Sequence, residues 1–306
     1  MFLEQTVTSE SAKGARQCPA PWWPTSRASR IALAAVVWLA ANLLLLHVVE
    51  RQEVHRLASE YEVPVEVIDE FEAREIAVPT VSGKPAVVLS YRYREPSRGA
   101  ERHSVPLFVF LHGSGERGND NVQPLSSAPA VMSQPSMIRA YPCALLVPQC
   151  PQGCDWSGAI AGETDMLDVV LLMIDESLRD DRIDPQRVYL AGFSMGASGA
   201  WDLAARAPGQ FAAVVPIAGG GRPETAPQLV NVRLRAVHGA ADDVVPVEQS
   251  RSMIEVVRSR GGNPGYTEYA GLGHQSWRKV FQRDAEVLEW IFRQPADPST
   301  PDNTAN

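Results

Sequence analysis

The 306-residue chain sets 28 lysines and arginines against 36 aspartates and glutamates, a formal net charge of −8, with 45% hydrophobic and 21% charged residues. That balance is ordinary for a globular protein with a substantial core, and it excludes a nucleic-acid binder built on a basic stripe. The six histidines are scattered, with no pair at a metal-ligand spacing, so neither a metal nor a cofactor is expected.

Residues 1–30 form a polar tail with "PAPWWP" inside it, of the composition that stays disordered. "IALAAVVWLAANLLLLHVV", residues 31–49, carries no charge, and Asn42 and His47 are its strongly polar members. A helix crosses the hydrocarbon core with roughly 20 apolar residues. The following "LLHVVERQ" offers no small-residue cleavage site, and the run lacks the polar face of a soluble core helix. The expectation is an uncleaved signal anchor; the alternative is a cleaved signal and a secreted protein. Lys13, Arg16, Arg27 and Arg30 precede the span, which puts the N-terminus in the cytoplasm and the rest on the outer side, periplasmic or extracellular. Arg51 and Arg56 on the far side pull against that orientation. Residues 50–69 read as an amphipathic stalk.

The four cysteines are Cys18, Cys143, Cys150 and Cys154. With Cys18 on the cytoplasmic side, three remain for the outer part. One disulfide or three lone thiols both stay open.

From residue 70 the pattern alternates. "FEAREIAVP" and "AVVLSYRYREP" read as strands bounded by "SGK" and proline, and "PLFVFLHGSGERG" and "CALLVPQC" as short apolar strands running into loops. A helix is predicted over Thr164–Leu178, with Met166, Val169, Val170, Met173, Ile174 and Leu178 on one face. The strand "DPQRVYLAG" and a helix from Met195 follow. Next come the strands "FAAVVPIAGG" and "RLRAVHGAADD", a helix from Val247, the strand "GYTEYA", the loop "GLGHQSW" and a helix over Ala285–Phe292. Residues 294–306 read as a disordered tail. Short apolar strands alternating with helices predict an α/β domain over 70–293, its mostly parallel sheet covered on both faces.

Gly192-Phe193-Ser194-Met195-Gly196 stands between a strand and a helix. It matches G-x-S-x-G, in which a tight turn exposes a serine hydroxyl above a helix N-terminus. A serine capping a helix gives the same short pattern, so partners must decide. A serine becomes a nucleophile only with a base and an orienting acid. In this arrangement they follow in the order serine, acid, histidine. Only His238 and His274 come after Ser194. His238, at a strand end, is assigned a structural role; His274, in the loop before the last helix, is the candidate base. "HGAADDVVP" supplies Asp242 as the candidate acid, with Asp243 as alternate. Oxyanion donors are expected from the backbone N–H of Met195 and, in the glycine-rich "FLHGSGERGND", of Ser114. That loop lacks the Lys-Ser/Thr ending of a phosphate-binding loop.

These motifs together with "LLVPQCP", "FAAVVPIAGGG", "VHGAADDVVPVEQS" and "YTEYAGLGHQSW" resemble, in order and over roughly residues 70–293, a branch of the α/β-hydrolase superfamily. It is the predicted-peptidase and phospholipase/carboxylesterase-like group, akin to feruloyl and acetyl-xylan esterases and dienelactone hydrolases. The resemblance implies an α/β-hydrolase fold with Ser194 as nucleophile, Asp242 as acid and His274 as base. It also implies a serine carboxylesterase that forms an acyl-enzyme on a small-molecule ester. The alternatives are a peptidase of short peptides with the same triad and a non-catalytic binding module. Ala197 departs from the glycine common at its place in the group. Trp156 and Trp277 are candidates for the substrate pocket, and equally for the core. The membrane segment lies outside the resemblance.

Overall fold

The computed structural model describes residues 27–78, 86–96, 104–160, 164–283 and 285–294. The tails expected at the two ends, and Cys18, lie outside the described residues save for 27–30 and 294. The chain divides into an N-terminal unit, 1–53, and a second unit, 54–306.

Helix α1 (Arg27–Glu60) contains no glycine or proline, the two residues that interrupt helices. It is long and apolar enough to cross a membrane, the length and composition that an anchor and a signal sequence share. Its side chains at Ile31, Trp38 and Leu44 are exposed. The amide of Asn42, one of the two polar residues of this run, donates back to the Trp38 carbonyl at 2.7 Å.

In the second unit, the last turn of α1 packs against the sheet domain. Leu57 and Ala58 are buried, as are Val63, Ile68 of α2 (Val65–Asp69) and Phe71. They join the cluster that holds Phe108 and Phe110 of the sheet.

The strands are β1 (Glu72–Val78), β2 (Val87–Arg94), β3 (Val105–Leu111), β4 (Ala144–Pro148), the short β5 (Ala159–Ile160) and β6 (Thr164–Asp165), β7 (Ile183–Phe193), β8 (Ala213–Ile217), β9 (Arg235–Gly239) and β10 (Gly265–Tyr269). Between them lie α3 (Ala128–Met132), α4 (Pro135–Ala140), α5 (Met166–Ser177), α6 (Met195–Arg206), α7 (Ala226–Leu229) and α8 (Glu248–Ser259), with α9 (Ala285–Arg293) after the last strand. Eight strands form one sheet in the order β1-β2-β4-β3-β7-β8-β9-β10, and β5 pairs with β6 apart from it. From β4 to β10 all neighbours are parallel; β1 and β2 enter antiparallel.

Every residue of β3, β4 and β8 is buried, which is why these strands read as continuous apolar runs rather than alternating ones. Alternation still sorts their side chains. Leu107, Val109 and Leu111 face the cluster containing α5, α6 and α8 residues. Phe108 and Phe110 face the other, with the end of α1, α3 and α9. Asp165 caps α5 by accepting from the Leu167 N–H at 2.9 Å, which ends the predicted Thr164 start two residues later. The short helices between β3 and β4 had no sequence periodicity to announce them. Cys143, Cys150 and Cys154 are free thiols.

Candidate active site

Strand β7 ends at Phe193, and the next residue takes a conformation that few non-glycine residues adopt. Ser194 has φ 57° and ψ −117°, a backbone costing on the order of 1–3 kcal/mol that the surroundings must hold. Its N–H donates to the Ile217 carbonyl at the end of β8 (2.9 Å), and its carbonyl accepts from the Ala197 N–H (2.9 Å) to begin α6. Glycine is required on both sides. A Cβ on Gly192 would stand 2.0 Å from the Gly196 carbonyl oxygen, and one on Gly196 1.9 Å from that of Leu111.

His274 arrives from the loop after β10, and Asp242 from the loop after β9. Two backbone bonds stitch these loops together: Ala240 N–H to Tyr269 O at 3.0 Å, and Ala241 N–H to Leu272 O at 2.9 Å. His274 Nε2 lies 2.9 Å from Ser194 Oγ. On the other side of the ring, Nδ1 lies 2.8 Å from Asp242 Oδ2. The carboxylate side chain is fully buried, and its Oδ1 accepts from the Val244 and Val245 N–H groups at 2.9 Å each. Burial opposes the charged form, but the hydrogen bonds from His274, Val245 and Val244 outweigh it and hold the Asp242 carboxyl below its ordinary value. Asp243 is exposed and has no part in this chain of contacts.

A cleft of about 400 Å³ opens over Ser194 and His274, within the size range of small-ligand sites. Its lining includes Gly113 to Glu116 from the loop after β3, Phe193 beside the serine, and Gln275, Trp277 and Arg278 beside the histidine. The Phe193 ring sits 5.0 Å from the His274 ring and edge-on to Trp277. Arg278 stacks over Trp277 at 4.9 Å.

Ser114 lines the cleft at the start of a single 3₁₀ turn whose backbone bond runs from Glu116 N–H to Gly113 O, so the Ser114 N–H is not used by the turn. Met195 is the first residue of α6, where helix geometry leaves its N–H without an intrahelical acceptor. Trp277 lines the cleft, whereas Trp156 does not. Trp156 is buried, donates from Nε1 to the His112 carbonyl at 2.9 Å, and packs edge-on against the His112 ring. Of the two places left open for Trp156, its contacts are those of the core, against the loop after β3.

Sequence reasoning passed over what fixes that loop. Buried His112 donates from Nδ1 to the Gly113 carbonyl (2.7 Å) and accepts at Nε2 from the Cys150 N–H (2.9 Å). Burial pushes its pKa down to about 4, so the neutral tautomer persists at neutral pH. Gln149 accepts from Asn121 N–H and donates to the Glu116 carbonyl. The "HG" pair and the glutamine in "VPQC" were the available signals. His238, assigned a structural role from the sequence, has its Nε2 3.1 Å from Asp242 Oδ2, a contact the sequence did not announce. Among the described residues no group of three or more His, Cys, Asp or Glu side chains could hold a metal ion.

Residues 163–291 match the family described as phospholipase/carboxylesterase, a span that contains Ser194, Asp242 and His274. Comparison by sequence with curated proteins gives no match. Among solved structures, a thermostable esterase is similar at 33% identity with a TM-score of 0.68, over 74% of this chain and 64% of that one. An acylaminoacyl peptidase from Pyrococcus horikoshii (16%, TM-score 0.52, 74% and 42% covered) shares the fold. So does an S-formylglutathione hydrolase from Agrobacterium tumefaciens (14%, TM-score 0.55, 72% and 94% covered). The chain thus spans under two thirds of the esterase's length and under half of the peptidase's. A mostly parallel sheet, a strained serine between β7 and α6, and these likenesses in family and structure lead to one placement: the chain has the α/β-hydrolase fold.

Proposed function

We propose that the protein is a serine hydrolase that cleaves carboxylic esters through an acyl-enzyme. The observation that carries this reading is the contact chain from Ser194 Oγ to His274 Nε2 at 2.9 Å and from His274 Nδ1 to Asp242 at 2.8 Å, opening into a cleft. His274 takes the hydroxyl proton as Ser194 Oγ attacks the ester carbonyl carbon, and Asp242 stabilises the imidazolium that results. The oxyanion accepts hydrogen bonds from the Ser114 and Met195 N–H groups, donors worth roughly 3 kcal/mol each in such sites. Collapse breaks the bond to the alkoxide, which leaves with the proton from His274. Water, deprotonated by the same imidazole, then attacks the acyl carbonyl carbon; its bond to Ser194 Oγ breaks, the carboxylic acid leaves, and Oγ takes the proton back from His274.

An ester is favoured over a peptide because an alkoxide needs less help to leave than an amine. The helix α1 is read as a signal anchor that holds this domain on the outer side of the membrane. The test of the hydrolase is labelling with a fluorophosphonate probe followed by peptide mapping. Modification at Ser194, lost on denaturation and in Ser194→Ala, is expected. A folded protein that resists the probe would instead fit the non-catalytic binding module.

A further inference from the structure

Asp242 is not served by one imidazole but by two. On β9, four residues before it, His238 is completely buried. His238 Nε2 lies 3.1 Å from Asp242 Oδ2 and 3.0 Å from the Val245 carbonyl oxygen. Its Nδ1 lies 2.8 Å from Ser250 Oγ on α8, and that hydroxyl is also 2.8 Å from the Gly219 carbonyl.

Counting protons fixes which nitrogen carries one. Nε2 faces a carbonyl, which can only accept, and a carboxylate held ionised by its other partners. Neither can donate, so Nε2 bears the hydrogen whichever way the Ser250 hydroxyl turns. Asp242 Oδ2 is therefore flanked by two imidazole N–H groups, one from His238 and one from His274, while Oδ1 is held by the Val244 and Val245 amides. The two oxygens together set the plane of the carboxylate. Without His238, Oδ2 would be held by His274 alone, the group whose orientation it is meant to fix. The other carboxylate beside His238, Glu268 in register on β10, is committed to Arg251 and Tyr266.

We infer that His238, braced by Ser250, is a positioning residue that locks the Asp242 carboxylate in the orientation His274 requires; the inference rests on the triad reading above. A buried histidine that merely fills the core would contribute to folding alone. The two roles separate in the rate of each working site.

The experiment uses the full-length wild type with His238→Leu, His238→Gln and Ser250→Ala. Fluorophosphonate titration counts active sites, and kcat and KM are measured on p-nitrophenyl acetate. In His238→Leu, kcat per titrated site is expected to fall roughly 10- to 100-fold, the scale of a lost hydrogen bond to a charged group, with KM within about threefold. His238→Gln places an N–H donor at a similar reach and is expected to recover most of the rate. Ser250→Ala, which frees the ring, is expected to show a smaller fall in kcat. Wild-type kcat per site in the Leu variant overturns the inference. Should the Leu variant not fold, wild-type kcat in Ser250→Ala, or a Gln variant that folds but recovers no rate, overturns it. Failure of the triad reading has its own signature: wild type that is not labelled at Ser194, or turnover surviving in Ser194→Ala, and either removes the foundation as well.

Discussion

His274 Nε2 and Ser194 Oγ stand 2.9 Å apart although 80 residues separate them in the chain. The first comes from the loop after the outermost strand and the second from a turn at the middle of the sheet. Substituting either by alanine is expected to reduce ester hydrolysis at least roughly 10⁴-fold while leaving the folded structure intact. Turnover of p-nitrophenyl acetate and a thermal melt check both halves. Substantial activity in either variant would remove that residue from the mechanism.

The two adjacent aspartates should behave differently. The Asp242 side chain is buried and bonded to His274, Val244 and Val245, and Asp243 faces solvent. Asp242→Asn is expected to lower kcat by about 10³- to 10⁴-fold, and Asp243→Asn by no more than about twofold. Steady-state kinetics on both variants decide the matter; the reverse ranking would exchange their roles.

The serine turn tolerates no side chain on its inner edge. Gly196→Ala puts a methyl 1.9 Å from the Leu111 carbonyl oxygen, where no flexible side chain can move aside. A loss of about 3 kcal/mol or more is expected in urea unfolding. A variant as stable as wild type would mean that the turn can widen.

His112 makes stability depend on pH in a definite direction. In the folded chain its pKa is near 4, and in the unfolded chain about 6.5. Between these values the unfolded chain binds more protons, so stability falls as the pH drops through the window and is fully present above it. The gap corresponds to about 3 kcal/mol. Urea melts at pH 7 and pH 4.5 should show His112→Asn weaker than wild type at neutral pH but losing less on acidification. Equal losses would place the acid sensitivity elsewhere.

The burial of Leu57, Val63 and Ile68 sets where the domain can be cut. Each such side chain contributes roughly 1.5–3 kcal/mol. A chain beginning at residue 51 is expected to be soluble and stable, and one beginning at residue 70 to be several kcal/mol weaker. The full-length chain is expected in the membrane pellet, resisting carbonate extraction. Equal stability of the two truncations would mean that this segment adds nothing to the domain, as a stalk would.

The strands and long helices were readable because burial on both faces writes itself as apolar runs and as spaced apolar faces. β3 and α5 are instances. Ser194, Asp242 and His274 could be named because each sits at a strand exit in a fixed chain order, and the fold brings those exits together. What escaped depends on contacts that leave no period. Trp156 could not be told from Trp277 by residue type, since the distinction lies in whether the indole meets His112 or open space. His238 looked like a strand-end histidine because its link to Asp242 requires the chain to curl back within four residues. The packing of Leu57 was hidden by the polar residues around it.

Among the described residues strand β10 has a neighbour on one side only, and each of its residues is half-buried. The His274 loop hangs from that edge, whereas Ser194 is set in the interior between β7 and β8. Marginal elements open at lower free energy than the centre of a structure. Fraying of the rim alone would strand the serine without its base while spectroscopic signals of the core persist. Gentle heat or dilute urea should therefore silence this protein reversibly, well short of the point at which it melts.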